Sequence, residues 1–203
     1  MIKIVDYGLG NLSAFGNVYK RLNIEVGAAR DPDDLRDATK IILPGVGAFD
    51  RAMELLDRSN MRATLEELVL KRHVPLLGVC VGMQILARSS DEGKSRGLGW
   101  IAADVRAFAS QPETGLPVPH MGWNDVSSVG DSPLFGDLMP PSRFYFLHSF
   151  YVVCDDARDV AAVSRYGVDF GCAVRSANVY GVQFHPEKSH HSGARLLQSF
   201  ANL

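Results

Sequence analysis

Two hydrophobic periodicities alternate along the first half of the chain. Short apolar runs at Ile2 to Asp6, Ile24 to Ala28, Lys40 to Leu43 and Val74 to Val79 predict strands. Between them, apolar residues recur at helical spacing. Asn11 can cap a helix that carries Leu12, Phe15, Tyr19 and Leu22 on one face. Asp31-Pro32 opens a short helix, and Gly47 leads into one bearing Phe49, Met53 and Leu56. Another helix is predicted from about Met61 to Arg72. Strands alternating with helices of these lengths predict a parallel sheet covered on both faces.

From about Gly97 the pattern shifts to strand after strand. Val105 to Phe108, Asp125 to Val129, Phe144 to Cys154, Val160 to Ser164, Phe170 to Arg175 and Val179 to Phe184 are separated by turn residues. Ser110 to Pro119 reads as a loop. A last helix over His191 to Leu203 places Ala194, Leu197 and Phe200 on one face. No repeat and no linker divides the chain, so residues 1–203 are expected to form a single α/β domain. Its sheet should have a parallel centre, antiparallel additions and helices on both faces.

Composition narrows the function classes. The 203 residues suffice for one well-buried domain, and 46% apolar with 22% charged residues is ordinary for a soluble globular protein. A formal charge of −2 gives no reason to expect a nucleic acid or an anionic membrane as partner. No apolar run approaches the roughly 18 residues of a membrane span. Met1 to Asp6 reads as a first strand, not a signal peptide. Cys80, Cys154 and Cys172 are widely spaced and odd in number, which suits a reducing cytoplasm and makes neither a disulfide framework nor a metal knuckle. Cys154 and Cys172 are expected to fill the core as strand residues.

Candidate chemistry centres on Leu76-Leu77-Gly78-Val79-Cys80-Val81-Gly82-Met83-Gln84. An apolar strand enters, glycines flank the cysteine at minus two and plus two, and an amphipathic run leaves: the layout of a nucleophile elbow with sulfur as nucleophile. The turn should place Cys80 at a helix N-terminus, where the positive dipole end favours thiolate. His185 ends an apolar strand and precedes Pro186-Glu187. Proline forces His185 to be extended, so Glu187, two residues on, can orient its ring as the third member of a triad. The backbone N–H of Val81 is a natural oxyanion donor. A second is expected from Pro44-Gly45-Val46-Gly47, at Val46. Gln84, one helical turn after Cys80, can face the same pocket.

Gly78 to Gln84 with His185-Pro186-Glu187 resembles the class I (triad) glutamine amidotransferases. Asp6 to Leu12, Pro44 to Phe49, Pro119-His120-Met121-Gly122-Trp123-Asn124 and His185 to Ser189 look like the branch of glutaminase subunits of imidazole glycerol phosphate synthase. The resemblance implies a flavodoxin-like fold and hydrolysis of L-glutamine to glutamate and ammonia through a thioester. Cys80 would be nucleophile, His185 base and then acid, and Glu187 the orienting carboxylate. Gly47, Gln84 and His148-Ser149-Phe150 would hold the glutamine. Ammonia would pass to a (β/α)₈ cyclase subunit that forms imidazole glycerol phosphate and an aminoimidazole carboxamide ribotide in histidine biosynthesis. Asn11, Trp123 and Lys188 would face that partner in a cytoplasmic heterodimer, and members are weak glutaminases until the partner binds its ligand. His190-His191 and Trp100 depart from the pattern, and related pairs supply ammonia for surface-sugar amidation instead.

Three other classes compete. Gly8-Leu9-Gly10 after the first strand suggests a dinucleotide enzyme, but Ser13 stands where the third glycine belongs and no acidic residue ends the second strand. His185, His190, His191 and a cysteine suggest zinc, but the spacing matches no known ligand set. A non-catalytic partner-binding protein would have no reason to retain Cys80, His185 and Glu187 together. No metal and no cofactor are expected.

Overall fold

In a computed structural model, which describes residues 1–108, 115–136, 138 and 142–203, the first four apolar runs become β1 (Ile2–Val5), β2 (Val26–Ala29), β3 (Lys40–Gly45) and β4 (Leu76–Cys80). Between them lie α1 (Leu12–Arg21), α2 (Phe49–Arg58) and α3 (Arg62–Glu66), and β4 runs directly into α4 (Val81–Gln84). The strand-rich half supplies β5 (Ala103–Ala107), β6 (His120–Ser128), β7 (Ser142–His148), β8 (Phe150–Cys154), β9 (Val160–Tyr166), β10 (Val168–Ser176) and β11 (Val179–Val182). The chain ends in α5 (His190–Ala201).

The strands join in the order β2-β1-β3-β4-β11-β10-β9-β6-β7, with β8 bridging β10 and β5. From β2 to β11 every pairing is parallel; beyond β11 every pairing is antiparallel. The connection from β1 to β2 moves one way along the sheet and that from β3 to β4 the other. Right-handed crossovers in opposite directions put α1 on one face and α2 with α3 on the opposite face. The crevice at the carboxyl ends of β1 and β3, where the direction reverses, is where such sheets bind ligands.

Burial explains the elements. α1 buries Phe15, Val18 and Tyr19, and α2 buries Phe49, Ala52, Met53 and Leu56, each set on one helical stripe. The Tyr19 hydroxyl donates to the Leu197 carbonyl at 3.2 Å, joining α1 to α5 through a fully buried side chain. Asn11 Oδ1 accepts from Ala14 N at 3.1 Å and caps α1.

Several segments differ from their expected form, each for a local reason. After Asp31-Pro32 there is only a 3₁₀ turn, Asp33–Leu35, started by Asp31 Oδ1 accepting from Asp33 N and Asp34 N. The helix expected to Arg72 relaxes after α3 into a π-helical turn, Glu67–Lys71, and stops at His73, whose φ is 55°. The expected strand from Phe144 to Cys154 is two, because the chain changes partners at Ser149: β7 pairs with β6, whereas β8 pairs with β5. Strand β6 begins at His120, five residues before the apolar signal, since its alternation is inverted there. His120 is buried while Met121 and Trp123 are exposed. Cys172 is buried, but Cys154 is only half-buried, on a strand whose other side faces solvent. Of the expected loop from Ser110 to Pro119, residues 110–114 lie outside the described residues, and 115–119 carry no helix or strand.

The run after Cys80 is not amphipathic. All four residues of α4 are buried, and one turn of helix sums too few peptide dipoles to stand for the expected macrodipole. Glycine at 82 has a steric reason: a Cβ there would overlap the Leu43 carbonyl of β3. Gly82→Ala should therefore destabilise the protein by about 2–3 kcal/mol, as overpacking against backbone does, measured as a lowered urea midpoint with an unchanged slope.

Candidate active site

The β4–α4 junction bends hard. Cys80 sits at φ 56°, ψ −115°, a backbone conformation that non-glycine residues rarely adopt. Three glycines make room for it. A Cβ at Gly78 would meet the Gly82 carbonyl oxygen at 2.7 Å, one at Gly82 would overlap Leu43, and one at Gly45 would strike the backbone of Val81 and Gly82. The loop after β3 thus lies directly on the backbone after the cysteine, which brings Val46 and Gly47 beside Val81. Val81 opens α4, so its N–H is among those a helix leaves without an internal partner. Gly47 has φ +89°.

His185 arrives from the strand next to β4. It is extended, with φ −101° and ψ 94°, and a 3₁₀ turn over Pro186–Lys188 follows. Its N–H donates to the Tyr145 carbonyl at 2.9 Å, and its own carbonyl accepts the Ser189 hydroxyl at 2.6 Å. The turn folds Glu187 back so that Oε1 accepts from His185 Nδ1 at 2.8 Å, with both side chains almost fully buried. Nε2 is left for the Cys80 sulfur. Burial alone would lower the His185 pKa; hydrogen bonds to Cys80 and Glu187, with their charges, outweigh it and push the pKa up to about 9. Glu187 Oε2 has no partner among the described residues, so the carboxylate acts on His185 alone.

The sulfur has two further neighbours. The Leu147 carbonyl accepts from Cys80 Sγ at 3.9 Å, and Gln183 Nε2 donates to it at 3.8 Å. Gln84 Nε2 donates to Gln183 Oε1 at 3.1 Å and to the Phe150 carbonyl at 3.4 Å. Gln84 is buried, not a solvated helix residue. The other cysteines have no such setting: burial first, then the carboxylates of Asp159, Asp155 and Asp156, pushes Cys154 up to about 12, and burial pushes Cys172 higher still.

A cavity of about 270 Å³ opens at this point, lined by Cys80, His185, Val46, Gly47, Val81 and Gln84, and also by His148, Ser149, Phe150 and Lys188. The structure therefore gathers Cys80, His185 and the expected oxyanion and substrate positions around one space, with Glu187 behind His185. Two further contributors lie outside the motifs. Glu92 lines the cavity while Oε2 accepts the Phe49 N–H at 2.8 Å, capping α2 from a distant loop; an acidic residue in a loop carries no signal of that. Gln183 is legible in principle, as a polar residue with zero exposure in an apolar strand.

Of the expected interface residues, Trp123 and Lys188 meet around one ring. Lys188 Nζ stands 5.9 Å above Tyr145, and Trp123 lies edge-on to it at 6.2 Å. His190 stacks on Trp123 at 5.2 Å with planes 10° apart, which gives the departure at 190 a structural place. Met121, 65% exposed, Leu147 and Val46 add apolar surface. Asn11 lies elsewhere, in an open groove shared with Asp6 and Arg30. Among the described residues, no three His, Cys, Asp or Glu side chains converge as a metal site, and no helix is long and apolar enough to cross a membrane.

Comparison with known proteins shows the family and the fold. Residues 4–202 match the family model of the glutamine amidotransferase class-I domain. The imidazole glycerol phosphate synthase subunit HisH of Bdellovibrio bacteriovorus is 58% identical, and that of Leptospira borgpetersenii 50% identical, each aligned over all of this chain and all of its own length. A HisH 2 protein of Pseudomonas aeruginosa is 43% identical over the same full lengths. Among solved structures, PurLQS from Thermotoga maritima superposes with a TM-score of 0.75 at 21% identity, covering 99% of this chain and 97% of that one. A glutamine amidotransferase from the same organism gives 0.65 at 18% identity, covering 99% and 82%. The fold likeness, the full-length family match and the identity to the synthase subunits converge: this chain belongs to the class I glutamine amidotransferases and, within them, to the HisH subunits of imidazole glycerol phosphate synthase.

Proposed function

We propose that the chain is the glutaminase of a two-subunit synthase, with Cys80 as nucleophile, His185 as base and acid, and Glu187 as the carboxylate that orients His185. The observation that carries this is the strained Cys80 backbone beside a buried His185–Glu187 pair 2.8 Å apart, at the wall of a cavity that the expected substrate residues line. The thiol proton resides on His185, which the sulfur and Glu187 hold protonated, as sulfur attacks the side-chain carbonyl carbon of glutamine. The oxygen, now negative, is held by the N–H groups of Val81 and Val46. The C–N bond then breaks, the nitrogen leaves as ammonia with the proton from His185, and a thioester remains. Water, deprotonated by His185, attacks the thioester; the C–S bond breaks and glutamate departs.

Gly47, Gln84 and the His148-Ser149-Phe150 segment hold the glutamine, and Glu92 is placed to accept its ammonium group. Nascent ammonia passes to a (β/α)₈ cyclase that makes imidazole glycerol phosphate and the aminoimidazole carboxamide ribotide for histidine biosynthesis. That partner docks over Trp123 and Lys188, with Asn11 at the margin of the contact. The apolar surface of Met121, Leu147 and Val46 around the cavity supports such a docking face. Three unpaired cysteines fit a cytoplasmic setting, and we read residues 1–203 as one domain.

Cys80→Ala should lower glutamine hydrolysis by about 10⁴-fold or more while leaving the fold intact; ammonia release at the unaltered rate would end this assignment. His185 must carry a proton to release ammonia. Activity should accordingly fall as the pH rises through about 9, where that proton is lost. Glu187→Gln removes one of the contacts that favour the protonated form, so the alkaline limb should move toward neutrality and the rate should drop by about 10²–10⁴-fold. An unmoved limb in the pH–rate profile would show that the carboxylate does not act on His185.

A further inference from the structure

A second polar chain runs into the wall of the cavity, and its first two members, Asn124 and His120, have no part in the proposed reaction. It starts at Asn124 on β6, whose carboxamide is held at both ends. Oδ1 accepts the Asp125 N–H at 2.8 Å, and Nδ2 donates to the Arg165 carbonyl at 2.8 Å. The amide cannot exchange its ends without setting like against like. Its remaining N–H points at His120 Nε2, 3.2 Å away, which must then accept. The proton of neutral His120 is thereby assigned to Nδ1, 2.9 Å from His148 Nε2. That nitrogen accepts in turn, and His148 Nδ1–H donates to the Phe150 carbonyl at 2.7 Å. A donor at the start and a carbonyl at the end fix the direction of every link.

The end of the chain is the wall of the cavity. The Phe150 carbonyl that receives His148 also receives Gln84, which bonds Gln183, which reaches the Cys80 sulfur. We propose that Asn124, His120 and His148 are positioning residues of the glutamine pocket, a one-way hydrogen-bond relay by which strand β6 sets the Phe150 carbonyl and, through it, Gln84. The assignment rests on glutamine occupying the cavity, as proposed above.

The surroundings keep the relay neutral. His120 is stacked between Tyr166 at 4.1 Å and Phe146 at 4.8 Å, and His148 lies against Phe108 at 5.2 Å and Phe170 at 5.3 Å. Burial lowers the His120 pKa to about 4. Burial, outweighing the Phe150 bond and aided by the charges of His120 and His185, lowers that of His148 to about 3. The other ionisable groups on the packed strands are Asp125 on β6, Arg143 and Tyr145 on β7, Tyr151 and Cys154 on β8, Arg165 and Tyr166 on β9, Asp169, Cys172 and Arg175 on β10, and Asp104 and Arg106 on β5. Arg165 pairs with Asp169 and Asp125 with Arg143. An added proton on either imidazole would set two donors face to face. A merely space-filling role needs no such direction.

Nitrogen-15 NMR of the histidines and steady-state kinetics with glutamine, both on the assembled synthase, test the proposal. In the wild type, His120 and His148 should both show the Nδ1–H tautomer and should not titrate between pH 5.5 and 8.5. Asn124→Asp replaces the donor with an acceptor. Only an imidazolium at His120 then satisfies both of its neighbours, so His120 should become titratable. The KM for glutamine of this variant, relative to wild type at each pH so that the His185 limb cancels, should be lowest at pH 6, where only the loss of the Arg165 bond remains. It should rise roughly tenfold by pH 8.5, about the effect of one lost hydrogen bond. His148→Asn keeps a donor toward Phe150 and should raise KM less than His148→Phe. An Nε2–H tautomer at either histidine, or wild-type KM at all pH values in Asn124→Asp, would overturn the relay whether or not the phenylalanine variant folds. Undiminished hydrolysis in Cys80→Ala would instead overturn the pocket's function and leave the tautomer result standing.

Discussion

Everything at this site hangs on backbone packed against backbone. Cys80 holds φ at 56° only because the chain on either side of it is pressed into place, Gly82 under the Leu43 carbonyl and Gly45 against Val81 and Gly82. A side chain at any of these glycines would separate β3 from α4. That contact does two jobs at once. It enforces the strained turn that presents the sulfur to the cavity, and it brings the loop carrying Val46 and Gly47 beside the N–H of Val81. The proposed nucleophile and oxyanion donors therefore share a single steric origin.

Burial alone does not decide the charge of the histidines around the cavity. His185, His120 and His148 are all withdrawn from solvent, yet one is shifted up and two are shifted down. The difference is the partner offered to the ring. His185 faces a carboxylate and a sulfur, both able to accept a proton's charge. His120 and His148 face each other, aromatic rings, an amide and a carbonyl, none of which stabilises an imidazolium against desolvation. Proton transfer is thus confined to one of three neighbouring imidazoles, and the other two are free to act through geometry.

The parts of the structure written in local pattern were legible in the sequence. The alternation of strand and helix to Cys80 needs only apolar spacing, and the elbow needs only its glycines. The extended His185 follows from Pro186, but Glu187 reaches the ring through the 3₁₀ turn over Pro186–Lys188 and not through the strand alternation that the sequence suggested. What escaped was set by distant chain. The helix after Cys80 is one turn long and buried on every side, where the sequence suggested a longer amphipathic run. Glu92 reaches the cavity as the cap of a helix that begins at Phe49. Strand β6 hid its first residues because its inward positions are polar and its outward ones, Met121 and Trp123, are apolar. The rule that apolar residues point inward fails on this strand, whose outward side is apolar and whose inward side carries His120 and Asn124.

That inversion also bears on how the two sides of β6 relate. The same five residues present Met121 and Trp123 outward and His120 and Asn124 inward, so no movement of one set is independent of the other. A strand transmits displacement along its pleat, and here the inner side ends in hydrogen bonds whose direction is fixed at each link. Trp123 is itself steadied by the stacked ring of His190, two residues beyond the Pro186–Lys188 turn that follows His185. Strand β6 thus meets the cavity from two sides: outward through Trp123 and the stacked His190, and inward through His120 and His148 to the Phe150 carbonyl. Under the proposed docking, a contact on Trp123 would act on the cavity through the same strand that carries His120 and Asn124.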